Sequence, residues 1–404
     1  MKKWASALLA LIMVLSMFTG CSQNQDSTGN DADNDAGIFY QITGIPADKT
    51  VMTVSGVGVT AEEYLYWMAY LCASMEYNII NYNAYYGMYE DIVLDDGCLN
   101  WNEEFQDGLT LAEYVRKETE STIAFYTAIE LMAEKHGAQL DDADKAAIAE
   151  SLNAAISELG GQAEFDAYLK KLGITQETFQ DLSASSYLFD NMLLLVLEEG
   201  NELYLQPEKY NNYATYADHI LFMTIDADSG KALSPDLMAQ QRTLAEQTLA
   251  AIRESDDPIT LFGELADQYS EDTGRPSNPN GYIFTPGTMV QSFEDAANAL
   301  QPGEISDIVE SDYGYHIILR KDLLEALEED PEQRVSLAEK HLTTLLSILA
   351  SEATVKVMDD VKDIDVGQFF SEYNSLVEQI TIDNANAAGE AARAEAATAE
   401  TNAA

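Results

Sequence analysis

Basic residues are scarce in this chain. Its 404 residues include 21 Lys and Arg against 70 Asp and Glu, which gives a formal net charge of −49 at pH 7. A surface of this sign repels the phosphates of nucleic acids and of anionic lipid headgroups, and it favours cationic or neutral partners. The same charge also keeps a protein soluble without any steering role. We therefore predict no nucleic-acid partner, and the purpose of the acidic surface stays open.

Histidine and cysteine are also scarce, at four and three residues. The chain contains no HExxH, CxxC, GxSxG or phosphate-loop pattern, so hydrolase and nucleotide chemistry have no support. Gly56–Ala61 matches a dinucleotide fingerprint by letter only, because no strand with a ribose-binding acid follows at the required distance. Asp31, Asp33 and Asp35 imitate an EF-hand loop, yet Ile42 stands where the closing glutamate belongs. We therefore predict neither a metal nor a cofactor.

Long apolar runs are absent after the N-terminus. Trp4–Met17 is apolar, follows two lysines and is too short to span a bilayer comfortably. It leads into Phe18-Thr19-Gly20-Cys21, which resembles a bacterial lipobox. Residues 1–20 are therefore predicted to be a signal peptide, with Cys21 the lipidated first residue of the mature chain; the alternative is an ordinary signal peptide with an incidental cysteine. Residues 21–36 are polar, lack periodicity and predict a disordered tether.

A single lipid anchor would hold the protein on a membrane rather than through it. The expected location is the extracytoplasmic face of a bacterial cell membrane, of Gram-positive type. If Cys21 carries lipid, Cys72 and Cys98 remain as an even pair in a compartment that permits oxidation. A disulfide between them would add roughly 3 kcal/mol, but Cys72 lies in an apolar helical pattern, where a lone buried thiol is common. Both alternatives stay open.

Helical patterns dominate the first half of the chain. After a strand-like stretch over Thr50–Ser55, Thr60 and Glu63 form a capping box that predicts a helix through about residue 77. Tyr77–Trp101 is rich in Tyr and Asn and carries turn signals. It is predicted to be an irregular insertion whose aromatic residues either pack locally or contact peptides.

A second capping box, Thr110 with Glu113, predicts the start of a helix with one apolar face, which ends at Gly137. Three further helices are predicted over residues 142–159, 165–172 and 175–197. Two amphipathic helices are predicted near the other end of the chain, over residues 331–350 and 366–380. They precede a loose, low-complexity Ala/Glu tail over residues 384–404.

Two strand-like runs each carry a histidine near their start: Asp218-His219-Ile220-Leu221-Phe222 and Tyr313-Gly314-Tyr315-His316-Ile317-Ile318-Leu319. Between them lie Tyr269–Asp272, Phe284–Glu294 and Gly303–Ser306. Taken in this order, the pieces resemble a parvulin, the small prolyl cis/trans isomerase domain, over roughly residues 213–321. The resemblance implies a four-stranded antiparallel sheet with helices, and peptidyl-prolyl isomerase activity without a cofactor.

The resemblance also implies a catalytic set and a substrate-binding set. The catalytic set is His219, Asp272 and His316, with both histidines hydrogen-bonded to the aspartate. The substrate-binding set, with the floor of the proline slot named first, is Met289, Phe293, Phe284 and Tyr313. Without the motif order, histidines on apolar strands would more simply be satisfied core residues, and Met289 and Phe293 ordinary core.

The implied reaction needs no nucleophile. Rotation about a peptide bond has a barrier of roughly 20 kcal/mol. Lowering it takes a slot that grips the proline ring, excludes water and favours the twisted amide. Asp272 stands where some parvulins have cysteine, which favours electrostatic and conformational catalysis. The acidic loop Asp226–Ser229 should repel phosphoserine, so we predict an isomerase that is not phospho-specific.

The predicted helices resemble the N-terminal chaperone region of PrsA-like and SurA-like foldases, in which C-terminal helices fold back onto the N-terminal ones. The predicted fold class is therefore α+β, with a helical N-terminal chaperone-like region completed by C-terminal helices and an inserted parvulin domain. We expect the three folded regions at residues 37–205, 213–321 and 331–382.

Two functions are compatible with these patterns. The first is a lipid-anchored foldase that isomerises X–Pro bonds in unfolded or newly secreted proteins, and the presence of the full catalytic set favours it. The alternative is a non-catalytic holdase with a degenerate parvulin domain. Asn278–Tyr282 favours the alternative, because it replaces the family's usual glycine-rich run and removes a leucine that lines the slot.

Overall fold

The computed structural model describes residues 37–227 and 229–402. The predicted signal peptide, the tether, Cys21 and Asp228 lie outside the described residues. The chain divides into two compact units, one formed by residues up to Met192 and from Leu345 onward, the other by Leu193–Thr344. Across the described ranges, no helix is both long enough and apolar enough to cross a membrane.

The described residues form helices and strands with the following bounds. The α-helices are, in chain order, α1 Ile38–Thr43, α2 Ala61–Tyr86, α3 Leu111–His136, α4 Asp142–Leu159, α5 Gln162–Leu172, α6 Gln176–Leu197, α7 Pro235–Glu254, α8 Pro258–Tyr269, α9 Gln291–Ala299, α10 Leu323–Glu329, α11 Pro331–Ser351, α12 Asp359–Lys362 and α13 Val366–Asn402. The strands are β1 Thr50–Val54, β2 Val57–Thr60, β3 Glu104–Gln106, β4 Leu109–Thr110, β5 Thr215–Met223, β6 Tyr282–Phe284, β7 Val309–Glu310, β8 Gly314–Arg320 and β9 Val355–Val357.

Local signals in the sequence set the helix starts. The Thr60 hydroxyl accepts a hydrogen bond from the Glu63 amide at the start of α2, with a distance of 3.2 Å. Thr110 and Glu113 form the full reciprocal capping box at the start of α3. Both features satisfy amide groups that have no partner within the helix.

Helix α2 is longer than the sequence predicts. It runs to Tyr86 and ends at Gly87, which takes the left-handed conformation at φ 62°. The prediction of an irregular insertion is therefore wrong for residues 77–86. The stretch contains no glycine or proline before Gly87, and the buried Ile79 continues the core-facing side of the helix, so tertiary packing outweighs the modest helix propensity of Tyr and Asn.

Cys72 is a free thiol that lies fully buried in α2. Burial raises the pKa of this thiol well above its usual value, because a thiolate loses its hydration there. Of the two alternatives that the sequence left open, the structure has the lone buried thiol.

The C-terminal helix α13 packs on the N-terminal helices within the first unit. Phe39 of α1 stacks on Phe369 and Tyr373 with ring centroids 6.0 and 5.9 Å apart. The Tyr373 hydroxyl donates to the Lys171 carbonyl at 2.8 Å. These contacts close the core of the unit from the far end of the chain. Helix α13 also continues to Asn402, so residues 384–402 are helical and not the loose tail that the sequence predicts.

A three-stranded sheet joins the two ends of the first unit as well. Strand β1 pairs with β2 in a hairpin and with β9 on its other side, in register Met52 to Val357, all antiparallel. Ser55 and Gly56 form the hairpin turn, both with positive φ, at 49° and 92°. Strand β9 was not predicted, because an alternation over only three residues is too short to indicate a strand.

The second unit contains a four-stranded antiparallel sheet in the order β6-β5-β8-β7. The central strands β5 and β8 are almost wholly buried because helices cover both faces. One face, with Ile220 and Ile317, packs on α7 and α8. The other face, with Ala217 and Ile318, packs on α9. This arrangement confirms the predicted α+β fold with a sheet-containing domain inserted between helical segments.

Candidate active site

Strand register brings His219 and His316 together. Leu221 of β5 pairs with His316 of β8, and His219 pairs with Ile318, so the histidines are diagonal neighbours. Side chains alternate along a strand, which puts both histidines on the face that carries α9. Their rings stack with centroids 5.3 Å apart, and their Nδ1 atoms lie 3.1 Å apart.

Asp272 reaches the same place from the loop after α8. That loop lies along the edge of β5: the Glu271 amide donates to the Leu221 carbonyl at 2.9 Å, and the Leu221 amide donates to the Ser270 hydroxyl at 3.2 Å. The next residue is thereby placed beside His219, whose Nε2 lies 3.0 Å from Asp272 Oδ2. The position of the carboxylate is therefore fixed by main-chain pairing rather than by the side chain alone.

Four side chains form one continuous hydrogen-bond chain. Beyond the His219–Asp272 and His219–His316 contacts, His316 Nε2 lies 2.7 Å from the Ser311 hydroxyl. We assign the protons from the network. If both rings are neutral, Ser311 donates to His316 Nε2, His316 Nδ1–H donates to His219 Nδ1, and His219 Nε2–H donates to Asp272. Every ring nitrogen is then satisfied once.

The sequence-based expectation for these contacts is wrong in one respect. Both histidines were expected to hydrogen-bond with Asp272, but only His219 does so directly. His316 reaches the carboxylate through His219, because it lies one strand further from the loop that carries Asp272.

The charges of this chain follow from its surroundings. Burial by itself would raise the pKa of Asp272, but hydrogen bonds from His219, the Tyr282 hydroxyl and the Gly274 amide outweigh it and hold that pKa well below its usual value. Burial, together with the neighbouring His219, lowers the pKa of His316 to about 3. At neutral pH the site therefore has an ionised Asp272 and an uncharged His316.

Phe293 of α9 lies against both imidazole rings. Its ring meets those of His219 and His316 nearly edge-on, with centroids 5.1 and 5.4 Å apart. Only 3% of Phe293 is exposed, and Phe284 supports it from behind at 5.9 Å. Met289 is half-buried against the same apolar cluster. The accessible part of a proline slot would therefore be formed by Met289 and by the upper edge of Phe293.

Phe284 and Tyr313 lie differently from the other predicted substrate residues. Phe284 is buried, and it lines a separate cavity of about 420 Å³ with Glu294 and Arg320, to which neither histidine contributes. Tyr313 is half-exposed in the turn between β7 and β8, where its amide donates to the Ser311 hydroxyl. In this structure Phe284 therefore supports the site from behind, and Tyr313 lies at its rim.

Comparison with known proteins matches one segment of this chain to a known family. The family model for the rotamase PPIC-type PPIase domain, that of the parvulins, matches residues 219–322. The chain carries a parvulin domain. The segment that matches begins at His219 and includes Asp272, Phe293 and His316, the residues that form the site.

The chain is also similar to foldases beyond this domain. Foldase protein PrsA of Halalkalibacterium halodurans is 31% identical over 224 residues, 53% of this chain and 62% of that protein. PrsA of Staphylococcus aureus is 26% identical over 270 residues, 63% of this chain and 80% of the relative. A crystal structure of PrsA from Bacillus cereus is 22% identical, covers 67% of this chain and 97% of its own, and superposes with a TM-score of 0.30. The chain thus spans less than two thirds of the first of these relatives.

Sequence reasoning missed two members of the candidate site, Tyr282 and Ser311. Tyr282 donates to Asp272 at 2.5 Å, and burial together with this bond raises the pKa of its phenol, so it stays a donor. It directly follows Gly281, whose φ of 95° and close approach to Ala217 allow no side chain, since a Cβ would lie 2.5 Å from that carbonyl oxygen. The glycine at position 281 was therefore the signal in the sequence that could have pointed to Tyr282. Ser311 had none beyond its place five residues before His316.

An ion pair between the buried side chains of Arg275 and Asp218 lies beside the candidate site. Arg275 lies 2.7 Å from an oxygen of Asp218 and 2.7 Å from an oxygen of Asp267, whose side chain is mostly exposed. The Asp218 carboxylate also accepts from the His219 amide at 2.7 Å. The main chain at His219 is thus tied to the loop that follows Asp272, and sequence analysis did not identify this pair. In the part of the chain that the structure describes, no three His, Cys, Asp or Glu side chains are arranged to hold a metal ion.

Proposed function

We propose that this protein is an extracytoplasmic, membrane-anchored foldase that catalyses cis/trans isomerisation of X–Pro bonds in unfolded or newly secreted proteins. The observation that carries the proposal is the hydrogen-bond chain from Asp272 through His219 and His316 to Ser311, set against the ring of Phe293. It lies within the segment that matches the PPIC-type isomerase family. The similarity to PrsA foldases supports the wider role.

The chemistry of this site is conformational. A planar amide places partial negative charge on its carbonyl oxygen by resonance, and that charge falls as the bond twists. An ionised Asp272 near the carbonyl oxygen therefore disfavours the planar state more than the twisted one. Met289 and Phe293 hold the proline ring in an apolar setting, away from water. Removing resonance in this way lowers a barrier of roughly 20 kcal/mol.

No covalent step is required of Asp272. Its Oδ2 accepts from His219 and Tyr282, and its Oδ1 accepts from the Gly274 amide. A carboxylate engaged by three donors is a poor nucleophile and a weak base. We therefore assign it an electrostatic role, with His219 and Tyr282 as the groups that fix its position and its charge.

Acidic side chains around the site favour unmodified substrates. Asp226 lies in the loop after β5, Glu271 adjoins Asp272, and Glu310 and Asp312 flank Ser311. A phosphate carries up to two negative charges and needs cationic donors to bind. We propose that phosphoserine before proline is disfavoured.

The holdase alternative keeps one supporting observation, the altered run Asn278–Tyr282. In the structure this run contributes Tyr282 to the hydrogen bonding of Asp272, so its departure from the family pattern adds a donor to the site. That contribution favours the catalytic proposal over a degenerate domain.

The deciding experiment measures isomerisation of a proline-containing peptide by the full chain, with aggregation of a reduced, unfolded client followed in parallel. We expect a rate above that of buffer, which falls in the variant His219→Ala. The matched control is His341→Ala, since His341 lies in the same unit away from the site and bonds to Tyr213. A well-folded chain that prevents aggregation without any isomerisation would overturn the foldase proposal in favour of the holdase.

A further inference from the structure

The far end of helix α2 carries large side chains that the fold leaves exposed. Tyr85 and Tyr86 are 82% and 71% exposed, and Tyr77, Tyr82 and Met88 are each about half exposed or more. We call these five residues the tyrosine surface. Three of the rings contact one another, with centroids 5.9 Å apart for Tyr82 and Tyr86 and 6.4 Å for Tyr85 and Tyr86. The rings therefore form a cluster rather than isolated exposures.

The stability of the fold does not explain why tyrosines occupy these exposed positions. On an exposed helical surface Tyr stabilises less than Ala, Glu or Lys, so propensity does not select it. Ile79 supplies the buried contact of this part of α2. Tyrosine is instead enriched where proteins bind other chains, because it offers a large rigid contact area at a low cost in conformational entropy. A cluster of exposed apolar side chains on a soluble protein indicates an interaction site.

The surrounding chain has charge of only one sign. From Thr50 to Val115 the sequence contains 11 Asp and Glu and no Lys or Arg. Glu90 and Asp91 lie in the turn that comes after the helix end and are exposed. The Glu90 carboxylate lies against Gly87, the residue that ends α2, with Oε1 3.4 Å from the position a Cβ there would take. Aromatic faces and carboxylates are thus adjacent at this end of the helix.

We propose that the tyrosine surface binds unfolded polypeptide segments in which apolar and cationic side chains alternate. The inference rests on the proposed foldase function, for which it names a client-binding surface. Tyrosine rings bind apolar side chains and attract Lys and Arg through cation–π contacts. Glu90 and Asp91 add attraction for the same cations and repel acidic segments. The surface therefore selects clients by the sign of their charge.

The size of the surface decides between an unfolded segment and a folded partner. A stable interface between folded proteins buries about 1,200–2,000 Å². Five side chains at one helix end offer much less, so a second copy of this chain would be held weakly there. A short segment of an unfolded client needs only a few anchors, and rapid release suits a protein that must let its clients fold.

The test uses the full chain and a pair of short, unstructured, proline-free fluorescent peptides. In one, Leu and Phe alternate with Lys; in the other, Glu replaces every Lys. We expect the full chain to bind the cationic peptide, more weakly at high salt, and not the anionic one. The triple substitution Tyr82→Ser, Tyr85→Ser and Tyr86→Ser should weaken binding about tenfold. The corresponding triple Phe variant should keep it.

The control is Ile259→Ser, which removes a comparably exposed apolar side chain from α8 in the other unit. It should leave peptide binding unchanged. Because the peptides lack proline, isomerisation of a separate proline peptide is an independent measurement, and the triple Ser variant should retain it. If the wild type binds the cationic peptide but does not isomerise the proline peptide, the result counts against the proposed isomerase function and not against the tyrosine surface.

Three results would overturn the inference. The triple Ser variant could bind the cationic peptide as tightly as the wild type. The anionic peptide could bind as well as the cationic one. The wild type could self-associate in sedimentation experiments without binding either peptide, with the triple Ser variant monomeric, which would make the surface an interface between copies of this chain.

Discussion

Only one of the two facing Nδ1 atoms of His219 and His316 can carry a hydrogen, because they lie 3.1 Å apart. The hydrogen bond between the two rings therefore has one donor ring and one acceptor ring. With neutral rings the hydrogen belongs to His316, whose Nε2 then accepts from the Ser311 hydroxyl. The pH dependence of His316 gives the first prediction.

Acid should destabilise the second unit through His316. Its folded pKa is about 3 against an ordinary 6.5, so the stability it contributes is complete above pH 6.5 and is lost as the pH falls toward 3. Between about pH 7.5 and about pH 5.5 we expect a loss of about 1.4 kcal/mol, measured by denaturant unfolding. His316→Gln should flatten this slope, whereas His136→Gln, a histidine on α3 in the other unit, should not. An unchanged slope in His316→Gln contradicts the assignment.

Tyr282→Phe tests the hydrogen bond that sequence analysis missed. The variant loses the donor to Asp272 and keeps the ring, so we expect kcat/KM to fall several-fold and stability to fall by about 1 kcal/mol. Tyr216→Phe is the matched control, because its hydroxyl donates to the Asn280 carbonyl outside the hydrogen-bond chain. Equal kcat/KM values in the two variants would show that Tyr282 has no part in catalysis.

Replacement of Met289 or Phe293 by alanine should affect stability and kcat/KM to different degrees. Phe293 is buried, so Phe293→Ala should destabilise the second unit by about 3–5 kcal/mol as well as abolish isomerisation. Met289 is half-buried, so Met289→Ala should lower kcat/KM about tenfold while the unfolding midpoint changes little. Ile308→Ala, a partly buried change on the other face of the sheet, should affect stability only. If Met289→Ala has the same kcat/KM as the wild type, Met289 does not line the proline slot.

Substrate charge should affect the isomerisation rate in a defined order. In a peptide series with Lys, Ala, Glu or phosphoserine before proline, we expect kcat/KM to fall in that order, since acidic side chains surround the site. Added salt should narrow the range by screening. A series in which phosphoserine–proline is the best substrate would refute the proposed selectivity.

Anchoring is tested by Cys21→Ser. We expect the variant to appear in the soluble fraction or as an unprocessed precursor, because the lipid acceptor is gone. Cys98→Ser is the control for loss of a thiol and should stay with the membrane. If Cys21→Ser fractionates and migrates like the wild type, the lipoprotein prediction fails.

Short-range signals explain which parts of this structure were predictable. The capping box of Thr110 and Glu113 acts within one helical turn, so this helix start needs no knowledge of the tertiary structure. That His219, Asp272, Phe293 and His316 would meet was implied by the resemblance to parvulins and not by a local signal.

Long-range pairing explains what was missed. Strand β9 exists only because Val355–Val357 finds β1 some three hundred residues earlier in the chain. Ser311 acquires its role from a distance that no local pattern encodes, whereas Gly281 was the one local signal beside Tyr282. Residues 77–86 looked irregular by composition, yet Ile79 finds a place in the core and the helix continues.

The pairing of β1 with β9 has a consequence for the order of folding during synthesis. The first unit lacks β9 and α13 until the last part of the chain has been synthesised, whereas Leu193–Thr344 is continuous and can fold before then. The unit with the candidate isomerase site then folds first, and the helical unit stays incomplete until β9 and α13 are available. A chain that stops after Thr344 would keep the site and lose the closing strand. The unit with the candidate site is therefore one uninterrupted segment of the chain, whereas the helical unit consists of two segments that meet only when both have been synthesised.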